Sequence, residues 1–146
     1  MIFLVDTNVL LRLVQQEDRM YADARRATIT LLRQQHELSI IAQNLIEFWA
    51  VATRPQANNG LALTIADTAA HIKTFQQAFT LLSDTPDVFS EWQRLVELHE
   101  VRGRQVHDAR LVAAMIVNGV SHLLTFDDAD FNRYGEITVT NPQTVT

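Results

Sequence analysis

The amino-acid sequence predicts an α/β fold in which a short, mainly parallel central sheet lies between two layers of helices, a three-layer α/β/α arrangement. Short apolar runs alternate along the chain with longer segments of helical periodicity. The runs are continuously apolar, which is typical of parallel strands that are buried on both faces. A length of 146 residues suits one core, so we expect a single domain over residues 1–146.

The first elements follow from apolar runs and helix-start signals. Ile2–Val5 is an apolar run long enough for a buried strand, and a helix is predicted after it over about Thr7–Val14. A longer helix is predicted over Arg19–Gln35, with Asp18 as its candidate N-cap. Leu38–Ile41 is the second predicted strand.

The next helix is predicted over Gln43–Arg54 from a stripe of apolar side chains at helical spacing. We expect four of these side chains to face the core: Leu45, Phe48, Trp49 and Ala52. Glu47 and Asn44 lie on the opposite face of the helical wheel. The segment 54–60 is predicted as a loop because proline, asparagine and glycine punctuate it.

Three further long helices are predicted in the second half of the chain. Thr64–Phe79 begins with a loose capping box. The next helix has Pro86 at its first position and runs to about Val101. The third spans Asp108–Asn118 and ends at Gly119. Strands are predicted around these helices, with a short helix between the last two: Thr80–Leu82, His122–Thr125 and Ile137–Val139.

Composition narrows the functional classes. Without cysteine, the chain has neither disulfides nor thiolate metal sites, which is compatible with the cytoplasm where we expect it. We expect no signal peptide and no membrane span, because no apolar stretch approaches the required length of about 20 residues. The net charge of −5 reflects either simple solubility or a concentrated site for cations. Eleven of the twelve basic residues are arginine. This excess reflects either a compositional bias or a use of arginine for contacts with phosphate groups.

Acidic residues follow two of the predicted strands directly. Asp6 comes after the first strand, and Asp127, Asp128 and Asp130 come after the strand over His122–Thr125. The carboxyl ends of parallel strands meet at one edge of a sheet, where functional residues gather. We therefore expect these acids to lie close together.

Two more acids lie on predicted helices. Glu47 is in mid-helix between apolar neighbours, and Asp108 opens its helix. Each acid taken alone has a structural explanation, since Asp6 and Asp108 could cap helices and Glu47 could be solvated. Capping requires no partner elsewhere in the chain, so it does not explain why acids recur at strand ends.

A cluster of carboxylates constrains its own chemistry. Neighbouring carboxylates repel one another, so they must take up protons or share cations. Hard oxygen ligands suit Mg²⁺ or Mn²⁺. One or two such ions activate water and stabilise the leaving oxygen of a phosphodiester. The sequence therefore predicts metal-dependent phosphodiester hydrolysis.

Four parts of the chain resemble the PIN-domain family of metal-dependent nucleases. They occur in order and at suitable spacing over nearly the whole chain: Phe3–Leu10, Glu47 within its apolar helix, His107–Ala114 and Leu123–Phe131. The compact length is most similar to the VapC-type toxins of bacterial toxin–antitoxin pairs. The resemblance implies a PIN-like fold and an Mg²⁺- or Mn²⁺-dependent endoribonuclease that cuts structured RNA such as tRNA or rRNA. It also implies a homodimer and a cognate antitoxin that blocks the active site.

The resemblance further assigns roles to individual residues. Four acids take the catalytic and metal-ligating positions: Asp6, Glu47, Asp108 and Asp127. Asn8 and Thr125 are expected to orient these carboxylates, with Asp130 as an auxiliary acid. Asp127, Asp128 and Asp130 all remain candidates for the fourth acidic position. Asn44 departs from the pattern, because many relatives have a hydroxyl residue there.

Other functions are compatible with parts of the sequence. A haloacid-dehalogenase-like phosphatase would need a second aspartate where Asn8 stands, and a lysine in a context that Lys73 does not have. The alternative that stays open is a catalytically silent PIN-like module that binds RNA or protein. Trp49 and Trp92 fit a core or dimer interface better than base stacking, since they lie among apolar residues at helical spacing.

Overall fold

The central element of the fold is a parallel sheet of five strands in the order β3-β2-β1-β4-β5, as seen in a computed structural model that describes all residues 1–146. β1 occupies the middle of the sheet and pairs with both β2 and β4. The strands are β1 (Ile2–Val5), β2 (Glu37–Ile40), β3 (Thr80–Leu81), β4 (His122–Leu124) and β5 (Thr138–Thr140).

Seven α-helices cover the two faces of this sheet. They are α1 (Thr7–Leu13), α2 (Tyr21–Arg33), α3 (Ala42–Thr53), α4 (Ile65–Ala78), α5 (Asp87–Leu98), α6 (Val106–Val117) and α7 (Asp128–Phe131). One buried cluster joins α1–α4 to one face, and a second joins α5–α7 to the other. The three-layer α/β/α prediction is therefore confirmed. None of the helices combines the length and apolar character that crossing a bilayer requires.

β1 shows why the sheet has two cores. Phe3 and Val5 point into the cluster with α1–α4, whereas Leu4 points into the cluster with α5–α7. All three are buried, and each such side chain contributes about 1.5–3 kcal/mol relative to an exposed one. The continuous apolar run in the sequence is thus explained by burial on both faces.

Two predicted helix starts are wrong in detail. α2 begins at Tyr21, and Asp18 lies in the preceding turn, where its carboxylate accepts from the Met20 N–H at 2.8 Å and pairs with Arg12 at 3.3 Å. α6 begins at Val106, so Asp108 occupies its first turn instead of its N-cap. In both places a turn precedes the helix, and neither aspartate occupies the N-cap position that the sequence pattern indicates.

The predicted faces of α3 also need correction. Phe48 and Ala52 are buried as expected, but Trp49 is only half-buried. Asn44, which the helical wheel places opposite the core, is fully buried. Its side-chain oxygen accepts from the Ile41 N–H at 2.9 Å and caps the helix, so a polar residue is accommodated on the inner face.

Candidate functional site

The site is built where β1 and β4 end side by side. Asp6 follows β1 directly, and its N–H donates to the Leu124 carbonyl of β4 at 3.0 Å. One oxygen of Asp6 accepts from the Thr7 N–H at 2.7 Å and caps α1. The capping role therefore holds, but it occupies only one oxygen of this carboxylate.

The second oxygen of Asp6 belongs to a network that connects β1 to the end of β4. The Thr125 hydroxyl donates to Asp6 Oδ2 at 2.8 Å. The Asn8 side-chain amide lies within hydrogen-bonding distance of Asp6 Oδ2, Thr125 Oγ1 and Asp127 Oδ2, at 3.3, 2.9 and 3.0 Å. Asn8 and Thr125 thus contact both Asp6 and the Asp127 segment, where they can orient carboxylates.

Glu47 enters the site from α3. Its two oxygens accept from the Thr7 hydroxyl and from the Gln43 side-chain amide, each at 2.9 Å. Asn44 contacts Thr7 in turn, since its side-chain nitrogen lies 3.4 Å from the Thr7 hydroxyl oxygen. Thr7 and Gln43 are functional candidates that the sequence reasoning missed, whereas Asn44 was noted there only as a departure from the family pattern. The Asp-Thr-Asn string and the spacing of one turn between Gln43 and Glu47 were the available signals.

The three aspartates after β4 have different surroundings. Asp127 is joined to Asn8, as described above. Asp130 is the largest charged influence on Asp108 in the first turn of α6. Asp128 turns away, and its carboxylate accepts from the Asn141 amide beyond β5 at 3.0 Å.

Burial and mutual repulsion perturb two of the acids. The pKa of Asp6 is raised to about 7, mainly by burial and to a smaller extent by the charges of Asp108 and Glu47, although hydrogen bonds from Thr125 and Thr7 lower it. Burial also raises the pKa of Asp108 to about 6, with contributions from Asp130, Glu47 and Asp127. Acids from separate parts of the chain therefore act electrostatically on Asp6 and Asp108.

The donor chemistry of this cluster fits a hard divalent cation. Carboxylate oxygens accept without donating, and their charged forms are disfavoured by burial unless positive charge compensates them. No three histidine, aspartate or glutamate side chains are arranged to share one ion in this structure. The oxygens of Asp6, Glu47 and Asp127 instead accept from hydroxyl and amide groups. Binding an ion would require these side chains to re-aim.

Comparison with known proteins identifies a family with this fold. A family model described as the PIN domain matches residues 3–137. No curated protein sequence matches the chain.

Solved structures with a similar fold include bacterial toxin–antitoxin proteins. One is VapBC-1 from nontypeable Haemophilus influenzae, with 12% identity, 99% of this chain and 100% of that chain covered, and a TM-score of 0.71. Another is VapBC2 from Rickettsia felis bound to a promoter DNA fragment, with 14% identity, 97% and 98% coverage, and a TM-score of 0.70. A third is VapC20 from Mycobacterium tuberculosis, a sarcin–ricin loop cleaving toxin, with 17% identity, 87% and 92% coverage, and a TM-score of 0.62. At such identities the likeness concerns the fold.

Proposed function

The chain belongs to the PIN-domain family, and from that premise we propose that it is a metal-dependent endoribonuclease, the toxin of a toxin–antitoxin pair. The observation that carries the proposal is the gathering of Glu47 from α3, Asp108 from α6 and Asp127 from the end of β4 near the buried Asp6. Its pKa of about 7 shows that the fold holds this carboxyl where its charge is costly. A purely structural cap at this position would not need the other acids.

Asp6, Glu47, Asp108 and Asp127 would hold Mg²⁺ or Mn²⁺, as one or two ions. When bound, the metal supplies activation of water and stabilisation of the charge that develops on the phosphodiester. Asp130 is an auxiliary acid, placed to influence Asp108.

The chain's own residues orient this set. Thr125 fixes one oxygen of Asp6, and the Thr7 N–H fixes the other. The Thr7 hydroxyl and Gln43 hold both oxygens of Glu47. Without a cation, the pKa of about 6 lets Asp108 keep a proton for part of the time near neutral pH. These contacts limit the rotamers of the carboxylates in the metal-free protein, and the side chains would re-aim from these positions when an ion binds.

The partners follow from the names of proteins that share the fold. An antitoxin is proposed because several of them are VapBC pairs, and an RNA substrate because VapC20 cleaves the sarcin–ricin loop. Ribosomal RNA or tRNA is the proposed substrate class, and the proposed toxin would act in the cytoplasm. A homodimer is proposed from the family resemblance.

A catalytically silent PIN-like module that binds RNA or protein is the second candidate. It is favoured by one observation: no three acidic or histidine side chains are arranged to share one ion. Such a module would keep the fold and its surfaces but would not turn over RNA.

The test is RNA cleavage by purified protein with Mg²⁺ or Mn²⁺, on a panel of tRNA and rRNA substrates with an EDTA control. Asp6→Asn keeps the shape but removes the anionic ligand, so cleavage should fall by at least about 100-fold. Asp128→Asn is the matched control, because Asp128 contacts Asn141 and not the network around Asp6. Cleavage that survives in Asp6→Asn contradicts the proposed site. Absence of cleavage in the wild type on every substrate supports the silent module.

A further inference from the structure

A second concavity lies beside the carboxylate cluster, between α5 and the start of α6. It has a volume of about 430 Å³. A smaller cavity of about 260 Å³ shares three of its lining residues and also contains Glu47. The shared residues are Asp84, His107 and Arg110. The two cavities therefore adjoin each other at these three residues.

One wall of the larger cavity is aromatic. The Phe89 side chain is 64% exposed, and its ring centroid lies 5.7 Å from that of Trp92 with an angle of 31° between the planes. The indole N–H of Trp92 donates to the Val106 carbonyl at 2.8 Å, which fixes the orientation of this ring. The sequence favours a core or interface position for Trp92, but in the structure this ring is only half-buried and lines the cavity with Phe89. Accessible aromatic rings are the feature on which unpaired nucleobases stack.

Another part of the cavity lining is polar. The Arg110 guanidinium donates to Asp84 Oδ2 at 2.8 Å and to Gln43 Oε1 at 3.0 Å. The other carboxylate oxygen of Asp84 has no protein donor and is free to accept. Carboxylates accept from the exocyclic amino groups of bases. Aromatic rings and charged side chains in one cavity lining match the faces and edges of a nucleobase.

A chain of hydrogen bonds connects this polar edge to the acids. The Gln43 side-chain amide donates to Glu47 Oε1 and to the His107 carbonyl, each at 2.9 Å. Its oxygen accepts from Arg110. A group bound against Arg110 is therefore two side chains away from Glu47, so an occupant of the cavity would lie next to the reacting strand.

We propose that the aromatic cavity, formed by Phe89, Trp92, Asp84 and Arg110, receives an unpaired base of the RNA strand that is cut. The inference rests on the proposed ribonuclease function and adds a site for a substrate base to it. An apolar protein side chain would cover the rings but would offer no hydrogen bond to the Asp84 carboxylate oxygen that Arg110 leaves free. A base satisfies both parts of the cavity.

The first test compares Phe89→Ala with Leu98→Ala. Both side chains are exposed on α5, with exposed fractions of 64% and 60%, but Leu98 does not line the cavity. Loss of a stacking ring should raise KM for RNA by about tenfold with little change in kcat. Leu98→Ala should leave both constants unchanged.

The second test needs no cleavage. The chain has two tryptophans, so Trp49→Phe leaves Trp92 as the only indole fluorophore. Mixed-sequence RNA hexamers in EDTA should quench the Trp92 emission in this variant. Adding Phe89→Ala to the same variant should weaken the apparent affinity for the hexamers by about tenfold.

The combined outcomes separate this inference from the proposed function. Cleavage by the wild type with an unchanged KM in Phe89→Ala and no quenching overturns the base site and leaves the ribonuclease standing. Quenching without cleavage supports the base site and contradicts the ribonuclease. Absence of both cleavage and quenching in the wild-type site overturns the ribonuclease and the base site together. A change of oligomeric state in Phe89→Ala, with unchanged KM and quenching, assigns the cavity to a protein contact and overturns the base site.

Discussion

At the scale of single residues, Asp6 combines two demands that oppose each other. Its exposed fraction is only 8%, and burial raises its pKa to about 7. The same side chain caps α1 through the Thr7 N–H and accepts from Thr125. These hydrogen bonds favour the charged form, but desolvation outweighs them. The fold therefore holds a carboxyl that is ready to lose its proton to a cation.

The pKa of Asp6 predicts how stability depends on pH in the absence of metal. A carboxyl whose pKa rises from 3.8 in the unfolded chain to about 7 in the folded state contributes fully to stability below 3.8. That contribution is lost as the pH rises toward 7, and Asp108, with a pKa of about 6, acts in the same direction. We expect Asp6→Asn to stabilise the metal-free protein at pH 8 by about 2–4 kcal/mol. Urea denaturation in EDTA at pH 5 and pH 8 measures the free energies of unfolding of wild type and Asp6→Asn.

Asp128→Asn is the control for that measurement, since Asp128 lies on the surface. It should change the free energy of unfolding by less than about 0.5 kcal/mol at either pH. Equal stability of wild type and Asp6→Asn at pH 8 would show that Asp6 bears no unfavourable charge.

Thr125 is predicted to position Asp6 for the metal. Thr125→Val preserves the shape of this fully buried residue but removes the hydroxyl that donates to Asp6 and accepts from the Asp127 N–H. We expect Mn²⁺ affinity to fall by about 10–100-fold. Isothermal titration calorimetry measures it, with Thr138→Val on the exposed part of β5 as the matched control. An affinity that is the same in both variants would remove Thr125 from the site.

From the sequence, the positions of single residues could be predicted only for those that directly follow a strand. Asp6 and Asp127 could be placed at one edge of the sheet because they follow apolar runs. The inward position of Asn44 could not be foreseen, because a helical wheel ignores side chains that bond back to the backbone. The contact between Thr7 and Glu47 joins residues 40 apart in sequence, and no local pattern reports it.

At the scale of elements, the first turn of α6 shows which of two effects dominates at Asp108. The exposed N–H groups of a helix start favour a negative charge by about 0.3–1 kcal/mol. Burial and the neighbouring acids act oppositely and raise the pKa of Asp108 to about 6. The environment made by other elements therefore prevails over the local helix effect. Taken alone in the sequence, Asp108 could be interpreted as an ordinary cap, and only the family resemblance assigned it to the metal site.

The start of α3 is predicted to depend on Asn44. This side chain caps the helix at Ile41 and lies against Thr7, which in turn holds Glu47. Asn44→Ala should cost about 1–3 kcal/mol of unfolding free energy, because the buried Ile41 N–H loses its partner. Thermal unfolding followed by circular dichroism measures the loss, with the exposed Asn132→Ala as control. A melting temperature equal to that of the control would contradict this role.

At the scale of the whole molecule, the sheet brings together acids that are far apart in sequence. Continuous apolar runs sufficed to predict parallel strands buried on both faces, because only such strands lack a polar face. The order β3-β2-β1-β4-β5 was not predicted, since pairing depends on how helices pack between strands. β3 has only two residues, a length at which the sequence pattern carries little information on strand bounds.

The net charge of −5 also affects how the whole molecule meets a charged substrate. Part of the negative charge is concentrated at one edge of the sheet, where a polyanion such as RNA would be repelled unless cations neutralise it. A divalent ion thus would serve both the chemistry and the approach of the substrate. The proposed chemistry therefore requires that this acidic edge binds such an ion.

The most direct test is a Mn²⁺ titration followed by electron paramagnetic resonance, in which free Mn²⁺ gives the signal and bound Mn²⁺ loses it. Wild type and Asp128→Asn should remove one or two ions per chain from the signal with similar affinity. Asp6→Asn should bind at least about tenfold more weakly. Equal binding by all three proteins, or no binding by the wild type, would contradict a metal centre formed around Asp6.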